Sequence, residues 1–416
     1  MKIADGVYVH FIPTQKYKTN RIVFRMTGSL NKQTIAKRAL VSQMLATANQ
    51  TYPTVQSFKE RLASLYGTQL STRVLTKGLT HSVDIELTYL KDAFIPTNNG
   101  LFWEVLGFLK ECLYKPLSRV AQYQNKVFDI EKQNLKTYLD VDTENNYYYS
   151  EVKGRELYFV NEGLKVPKYG QAELVEAETS FTTYQEFQSM LTRDRIDIFM
   201  VGEFDDYQVL QALHRFPLEG RQVDLQFSYS QPYVNVVKEK IEPRQSSQSI
   251  LQLGYQFPCQ YGDKDYFALI VFNAMFGEFA HSALFTTLRE KEGLAYSISS
   301  QFDIFTGLLE VYAGIEKSNR NQAMRGISRE LNYIKLGRFS SSLLNQTKKI
   351  IRMNALLSED HALTLVEQRF NKVIFGDKSL SLENWLDEIE KVTKKDVCRV
   401  ARQVKLQSLF FLEGVS

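Results

Sequence analysis

Residues 279–296, FAHSALFTTLREKEGLAY, are the stretch from which the organisation of this chain can be worked out. Leu284, Phe285 and Leu288 have the spacing of one face of a short helix. Gly293 marks the expected helix end, because a residue without Cβ adopts the left-handed conformation at little cost. An apolar run follows, so the stretch predicts a helix, a left-handed stop and then a strand.

Two polar side chains stand at the ends of this turn. Arg289 falls in the last helical turn and Tyr296 at the start of the strand, so both could project toward one point. Together they offer several hydrogen-bond donors and a fixed positive charge to a carbonyl oxygen. From these residues alone the simpler explanation is structural, with Arg289 beside a helix C-terminus and Tyr296 half-buried in a strand.

The same pattern occurs earlier in the chain. In KERLASLYGTQLS, Leu62 and Gly67 are five residues apart, as Leu288 and Gly293 are, and both pairs differ by an offset of 226 residues. An internal repeat of roughly 200 residues is far longer than a solenoid period. The sequence therefore predicts two duplicated domains.

Hydrophobic periodicity gives each half strands and helices in a similar order. We predict an α+β fold with an antiparallel-rich sheet and helices in each of two homologous α/β domains. The domains are expected at residues 1–215 and 241–416, with a linker at 216–240. Predicted helices include residues 35–48, 54–66, 92–115, 120–144, 265–275, 282–291, 319–335 and 340–374, and predicted hairpins include 70–90 and 294–314.

Composition limits the function classes. The 416 residues carry 51 basic and 47 acidic side chains, a net charge of +4, which argues against a nucleic-acid binder. No apolar run approaches the ~20 residues that a membrane-spanning helix needs, and the N-terminus lacks the pattern of a secretory leader. We therefore expect a cytoplasmic protein without membrane contact. Cys112, Cys259 and Cys398 are far apart and are expected to be buried thiols.

A longer stretch, FNAMFGEFAHSALFTTLREKEGLAYSISS (272–300), resembles the C-terminal-domain signature of the M16 (pitrilysin/insulinase-like) metallopeptidases. Further similarities, among them Leu294-Ala295-Tyr296 and Gly314-Ile315-Glu316, point to M16B-type non-catalytic subunits of the bacterial YmfF-type subset. The resemblance covers essentially the whole chain. It implies two domains in a clam-like arrangement.

Active members of that family carry an HxxEH motif, whose two histidines bind zinc while the glutamate acts as general base. The corresponding segment here is ALVSQM, with Ala39 and Gln43 at the histidine positions and Ser42 at the glutamate position. Tyr138 falls near the expected distal glutamate ligand. None of the five histidines has another histidine three to five residues away. We therefore predict no zinc site and no independent peptidase activity.

The resemblance gives Arg289 and Tyr296 a functional interpretation. In two-subunit members the zinc motif lies on one chain, and an Arg/Tyr pair on the other chain contacts the substrate backbone. This implies a partner of the YmfH type that carries HxxEH and zinc, and an unfolded peptide substrate. The pair would donate hydrogen bonds to a substrate oxygen during attack on the carbonyl and so stabilise the transition state. Losing one such donor typically lowers turnover by ~10²–10³.

The loop before the helix occupies the place of the family's glycine-rich loop but is poor in glycine. Its residues Phe279, His281 and Ser282 are candidates for substrate contact, and His281 could line the chamber. For Ser282 the simpler explanation is a helix N-cap.

Two functions remain open at the level of sequence. The first is a zinc-less subunit that completes a heterodimeric zinc peptidase. The second is a structural or peptide-binding scaffold with no part in catalysis. The Arg289 and Tyr296 pair favours the first, since a scaffold does not need both residues in this spacing. A single-chain peptidase with an unusual metal site is disfavoured by the missing ligands.

Overall fold

A computed structural model describes residues 1–95 and 100–415 of the chain. The chain forms two compact units. Unit 1 consists of Met1–Val141, Val166–Gln226 and Asp360–Phe370. Unit 2 consists of Asp142–Lys165, Phe227–Glu359 and Asn371–Ser416.

The first part of the chain contains most of unit 1. Its elements are β1 (Lys2–Ala4), β2 (Val7–Pro13), β3 (Thr19–Ser29), α1 (Lys32–Leu45), α2 (Val55–Ser64), β4 (Gln69–Lys77), β5 (Thr80–Leu90), α3 (Leu101–Tyr114), β6 (Ser118–Arg119), β7 (Gln122–Tyr123), α4 (Asn125–Glu144), α5 (Asn146–Tyr158), α6 (Ala172–Glu176), α7 (Ser180–Arg193), β8 (Arg195–Gly202) and α8 (Asp206–Leu213).

The remaining elements follow an extended segment. They are β9 (Lys238–Gln245), β10 (Ser249–Gln256), α9 (Tyr266–Asn273), β11 (Ala295–Asp303), β12 (Leu308–Ile315), α10 (Arg320–Lys335), α11 (Ser341–Ser358), α12 (Ala362–Phe375), α13 (Leu382–Lys391), α14 (Lys394–Gln403) and β13 (Lys405–Val415). Two segments with π-helical geometry, Ala274–Glu278 and Phe285–Lys291, lie between α9 and β11.

The two main sheets share one topology. Unit 1 has the strand order β1-β2-β8-β3-β5-β4, and unit 2 has β11-β12-β10-β13-β9. With β1 set aside and the second order reversed, each strand of one sheet has a counterpart in the other. β2 is parallel to β8 and β9 is parallel to β13, while the other pairs in both sheets are antiparallel. The predicted α+β class with two like domains is confirmed.

One face of the unit 1 sheet packs on helices. Ile22 and Phe24 of β3 are fully buried in one apolar core with Leu40 of α1. The alternation of strand side chains places the neighbouring residue, Arg25, on the opposite face.

That opposite face holds a buried ion cluster. Arg25 donates from Nε and Nη2 to the two carboxylate oxygens of Asp84, at 2.8 and 2.9 Å, and from Nη2 to Glu367 at 2.5 Å. The Phe370 ring lies 4.7 Å from the same guanidinium. Glu367 and Phe370 belong to α12, so a segment late in the sequence covers this face of unit 1.

Unit 2 contains α5, a helix from the earlier part of the sequence. Arg155 of α5 donates from Nε and Nη2 to the buried carboxylate of Glu310 on β12, at 3.1 and 2.8 Å. Leu251, Val311 and Ile298 belong to the apolar core of this unit. Because neighbouring strand residues point to opposite faces, α5 covers the face opposite this core.

The compact units therefore depart from the predicted halves 1–215 and 241–416 in two segments, residues 142–165 and 360–370. The periodicity of helices and strands predicts the repeat. It does not predict that residues 142–165 pack in unit 2 and residues 360–370 in unit 1. The region 216–240 has no regular structure up to β9, which begins at Lys238.

Several predicted elements have different ends. The single helix predicted at 340–374 is wrong: α11 ends at Ser358 and α12 begins at Ala362, because residues 359–361 form a turn. The helix predicted at 120–144 begins only at Asn125, since Val120 and Ala121 have φ of 53° and 55° in the β6–β7 turn. Of the helix predicted at 92–115, residues 96–99 lie outside the described residues.

Several elements were not predicted from the sequence, among them β6, β7, α6, β9 and α14. β9 is an exposed edge strand with the sequence KEKIEPRQ, so it lacks apolar alternation. α14, KKDVCRVARQ, is short and highly charged. Over the described ranges, no helix combines the length and the apolar character needed to cross a bilayer.

Candidate functional site

The α1 positions that would hold a metal are packed like core. Ala39 is fully buried in the apolar cluster of unit 1 and has no side-chain donor atom. Ser42 is buried, and its Oγ donates to the Ala39 carbonyl at 2.7 Å, while its own carbonyl accepts from Thr72 Oγ1 at 2.9 Å. Gln43 is partly buried. These residues do not fit a zinc ion.

The expected distal ligand position gives the same result. Tyr138 on α4 is 50% exposed, and its ring packs edge-on against Tyr169 at 5.9 Å. Within residues 1–95 and 100–415, no group of three or more His, Cys, Asp or Glu side chains is placed to hold a metal ion.

The buried histidines have structural partners. His10 Nε2 lies 2.7 Å from Asp197, and His81 Nε2 lies 2.8 Å from the Lys168 carbonyl. Burial lowers the pKa of His81 to about 3, with Arg38 adding to the effect, so His81 is neutral.

Arg289 lies in the second π-helical segment. The segment ends as the Glu292 N–H donates to Thr287 at 2.9 Å and the Leu294 N–H donates to Leu288 at 2.8 Å. Gly293 has φ of +60°, which confirms the predicted left-handed stop. The exposed Arg289 guanidinium lies 4.6 Å from the centre of the Phe285 ring.

Tyr296 lies at a β-bulge. Ala295 pairs with Ile315 and Ser297 with Gly314, so Tyr296 is one extra residue in β11. A bulge re-aims side chains locally. Tyr296 is consequently 58% exposed instead of following Ile298 into the core.

The Tyr296 hydroxyl has a hydrogen-bond partner on the neighbouring strand end. It donates to Glu316 Oε1 at 2.8 Å, and this hydrogen bond, together with the negative charge of Glu316, raises the pKa of the Tyr296 phenol. This role of Glu316 was not predicted from the sequence. The signal was present, because the register of the predicted hairpin brings the residue after β12 beside the start of β11.

The two repeats can be compared residue by residue at Arg289 and Tyr296. β4 and β11 begin at Gln69 and Ala295 and end at Lys77 and Asp303, each pair at the offset of 226. At that offset, Ala63 corresponds to Arg289 and Leu70 corresponds to Tyr296.

The backbone differs at the same places. The β4–β5 ladder has no bulge at Leu70, whose side chain packs against the unit 1 core. α2 is a regular α-helix where unit 2 has the π-helical segment Phe285–Lys291. Short π-helical segments are rare and frequently lie at functional sites. Unit 1 therefore lacks the two polar side chains, the bulge and the π-helical segment together.

The preceding loop is more firmly packed than expected. Ser282 is fully buried and its Oγ accepts from the Phe285 N–H at 3.4 Å, so it acts as the N-cap and is not positioned for peptide contact. His281 lies 2.9 Å from Thr347 Oγ1, and burial lowers its pKa. Phe279 is partly buried and stacks on His281 at 5.6 Å.

The two units of this chain share one topology, so the chain is a duplicated α+β protein. Its C-terminal repeat carries the polar Arg/Tyr turn, and its N-terminal repeat has no metal ligands on α1. Residues 184–351 match the family model described as "Peptidase M16 inactive domain".

Relatives extend this match along the chain. The sequence is 30% identical over 410 residues to the Bacillus subtilis (strain 168) protein "Probable inactive metalloprotease YmfF", covering 98% of this chain and 96% of that one. The chain belongs to the M16 peptidase family.

Solved structures share the architecture. A conserved protein from Enterococcus faecalis V583 is 36% identical with a TM-score of 0.97, covering 100% of this chain and 98% of that one. The peptidase M16 inactive domain from Pseudomonas fluorescens is 16% identical with a TM-score of 0.78, over 99% and 97% of the two chains. The second similarity supports the fold alone.

Proposed function

We propose that this chain is a zinc-less M16-type subunit that pairs with an HxxEH-bearing, YmfH-type chain to form a heterodimeric zinc peptidase. Its own contribution is to bind the backbone of an unfolded peptide through Arg289 and Tyr296. The observation that carries the proposal is the difference between the repeats: unit 1 has Ala63 and Leu70 at the equivalent positions, on a regular α-helix and an unbulged strand.

The exposed guanidinium of Arg289 suits a backbone carbonyl oxygen, since it presents several N–H donors and a permanent charge. Tyr296 is turned outward by its bulge, so its side chain is exposed to a ligand. Phe279 and His281 lie on the preceding loop and complete the proposed contact surface. Ser282 is left out because its side chain is buried. Any zinc would be held by the partner.

A scaffold without a catalytic role is the second candidate. The packing of Arg289 on Phe285 and the hydrogen bond from Tyr296 to Glu316 favour it, since both give the pair a local structural partner. The two candidates differ in one respect. A scaffold tolerates loss of both side chains as long as it still binds its partner.

Reconstitution separates the candidates. The chain would be mixed with an HxxEH-bearing M16 chain from the same source, and peptide cleavage measured for each chain alone and for the mixture. We expect cleavage only in the mixture, and a fall in kcat/KM of about 10²–10³ for Arg289→Ala combined with Tyr296→Phe.

Matched controls are Arg325→Ala and Tyr333→Phe, which change exposed side chains of the same types on α10. Wild-type rates for the Arg289/Tyr296 double variant in a complex that still assembles would leave only the scaffold.

We also propose that the complex acts in the cytoplasm. Cys112, Cys259 and Cys398 are all buried free thiols, as is usual for proteins of a reducing compartment. Fractionation of cells with detection of the tagged chain tests this directly. Recovery outside the cytoplasmic fraction would contradict it.

A further inference from the structure

The hydroxyl proton of Tyr296 is already donated to Glu316. A carboxylate can only accept hydrogen bonds, so at 2.8 Å from Glu316 Oε1 the phenol is the donor. A phenol has one O–H, and what remains for a ligand is the lone-pair side of the oxygen. That side is accessible, because the Tyr296 side chain is largely exposed.

We propose that Glu316 makes Tyr296 a hydrogen-bond acceptor, so that Arg289 recognises a peptide C=O and Tyr296 a peptide N–H. This inference rests on the proposed function, peptide binding by unit 2. Glu316 is a positioning residue, since it acts through Tyr296. The ligand class is a polypeptide whose contacted residue has a free amide N–H, which excludes proline at that position.

Arg289 cannot fill the acceptor role. A guanidinium has five N–H donors and no acceptor, so an extended backbone bound by Arg289 alone would keep its own N–H unpaired. The carboxylate of Glu316 would also repel the negative end of a carbonyl placed at Tyr296. Both arguments give the two side chains opposite hydrogen-bonding roles.

The repeat provides an independent comparison. In the β4–β5 ladder Ser71 pairs with Glu86, as Ser297 pairs with Gly314 beyond the bulge, so Thr88 corresponds to Glu316. Thr88 carries no carboxylate. Unit 1 therefore lacks Glu316 together with the two residues that it would serve.

The test measures binding of a fluorescein-labelled, proline-free, unstructured peptide to the full chain by fluorescence anisotropy. Matched peptides replace each internal amide in turn by an ester, which removes one N–H. We expect one ester position to bind wild type about fivefold more weakly than the parent peptide. Proline at the same residue should weaken binding at least as much.

Two variants make the test specific. In Glu316→Gln the side-chain amide can donate to Tyr296 Oη and free the phenol proton, so the ester penalty should fall to less than about twofold. Glu413→Gln is the control, because Glu413 pairs with Lys317, the neighbour of Glu316, at 3.1 Å. It should keep the wild-type ester profile.

The outcomes are distinguishable. Suppose that Arg289→Ala and Tyr296→Phe still weaken binding of the parent peptide. The acceptor role is then overturned if all ester peptides bind as tightly as the parent, or if Glu316→Gln leaves the loss of affinity at the ester position unchanged. Absent peptide binding, or binding unaffected by those two substitutions, removes the proposed function and this inference with it.

Discussion

Gly277 lies against Ser300 so closely that a Cβ on the glycine would be 2.6 Å from the serine Oγ and 2.8 Å from its backbone nitrogen. The first π-helical segment thus touches β11 four residues after Tyr296. Ser300 in turn donates to Asn273 Oδ1 at 2.8 Å, which ties the strand to the end of α9.

We expect Gly277→Ala to destabilise unit 2 by about 2–3 kcal/mol, because the backbone of β11 has to move to accept the methyl group. Gly293→Ala is the matched control, since nothing lies within 4 Å of its Cβ position and only its φ of +60° opposes a side chain. That change should cost about 1 kcal/mol. Urea unfolding of both variants measures the difference, and equal costs would contradict the packing argument.

Glu367→Gln should destabilise unit 1 by about 2 kcal/mol at pH 7, a value reduced for the one-third exposure of Glu367. Burial alone would raise the pKa of Glu367, but Arg25, Lys77 and Arg73 together lower it to about 2. The carboxylate therefore stabilises the fold above the unfolded-state pKa near 4.5. This contribution is lost as the pH falls from there toward 2.

Urea unfolding of wild type and Glu367→Gln as a function of pH measures this effect. The two should converge at the acid end of that range. Glu60→Gln, on exposed α2, should have little effect at any pH. A stability difference that is independent of pH would argue against the ion cluster as its source.

His81 makes unit 1 sensitive to mild acid. The folded state keeps this side chain neutral down to about pH 3, whereas the unfolded chain takes up a proton near pH 6.5. Stability should therefore fall below pH 6.5, by up to about 1.4 kcal/mol per pH unit from this residue. His81→Gln should remove that part of the slope, while His214→Gln, at an exposed position, should leave it unchanged.

Glu316→Gln should lower the pKa of the Tyr296 phenol toward its ordinary value, since the hydrogen bond to Glu316 and its charge raise it. Tyrosine labelled with ¹³C at Cζ gives an NMR signal that follows phenol ionisation. Tyr296→Phe identifies the resonance. An unchanged titration in Glu316→Gln would mean that the hydrogen bond is not populated in solution.

Gly314→Ala should disrupt the packing of α5 on the unit 2 sheet. The Tyr147 hydroxyl lies 2.6 Å from Ser297 Oγ, and both groups occupy the space that a Cβ on Gly314 would need. We expect a cost of about 1–3 kcal/mol. Tyr147→Phe combined with Gly314→Ala should recover part of it, and strictly additive costs would exclude this contact as the cause.

Much of the fold could be predicted from local spacing. The match of Leu62 and Gly67 with Leu288 and Gly293 predicted the repeat, and β4 and β11 confirm it at the same offset. Left-handed glycines and apolar periodicity are local properties, which is why they are readable in a single sequence.

The details of the site could not be predicted in this way. Over the seven residues Phe285–Lys291, apolar spacing does not distinguish α from π geometry. The bulge at Tyr296 depends on the register with β12, which is a tertiary property. The burial of Ser282 and the role of Glu316 likewise depend on contacts between segments distant in the chain.

Unit 1 cannot be completed when its first two segments have been synthesised, because its third segment comes much later in the chain. The first two parts of this unit end at Gln226, but the cover over Arg25 comes from Asp360–Phe370. At ordinary synthesis rates the ribosome needs roughly 7–30 s to add the 144 residues from Phe227 to Phe370. During that interval the ion-cluster face of the nascent unit is open to water, proteases and chaperones, so unit 1 matures only when synthesis of the chain is almost finished.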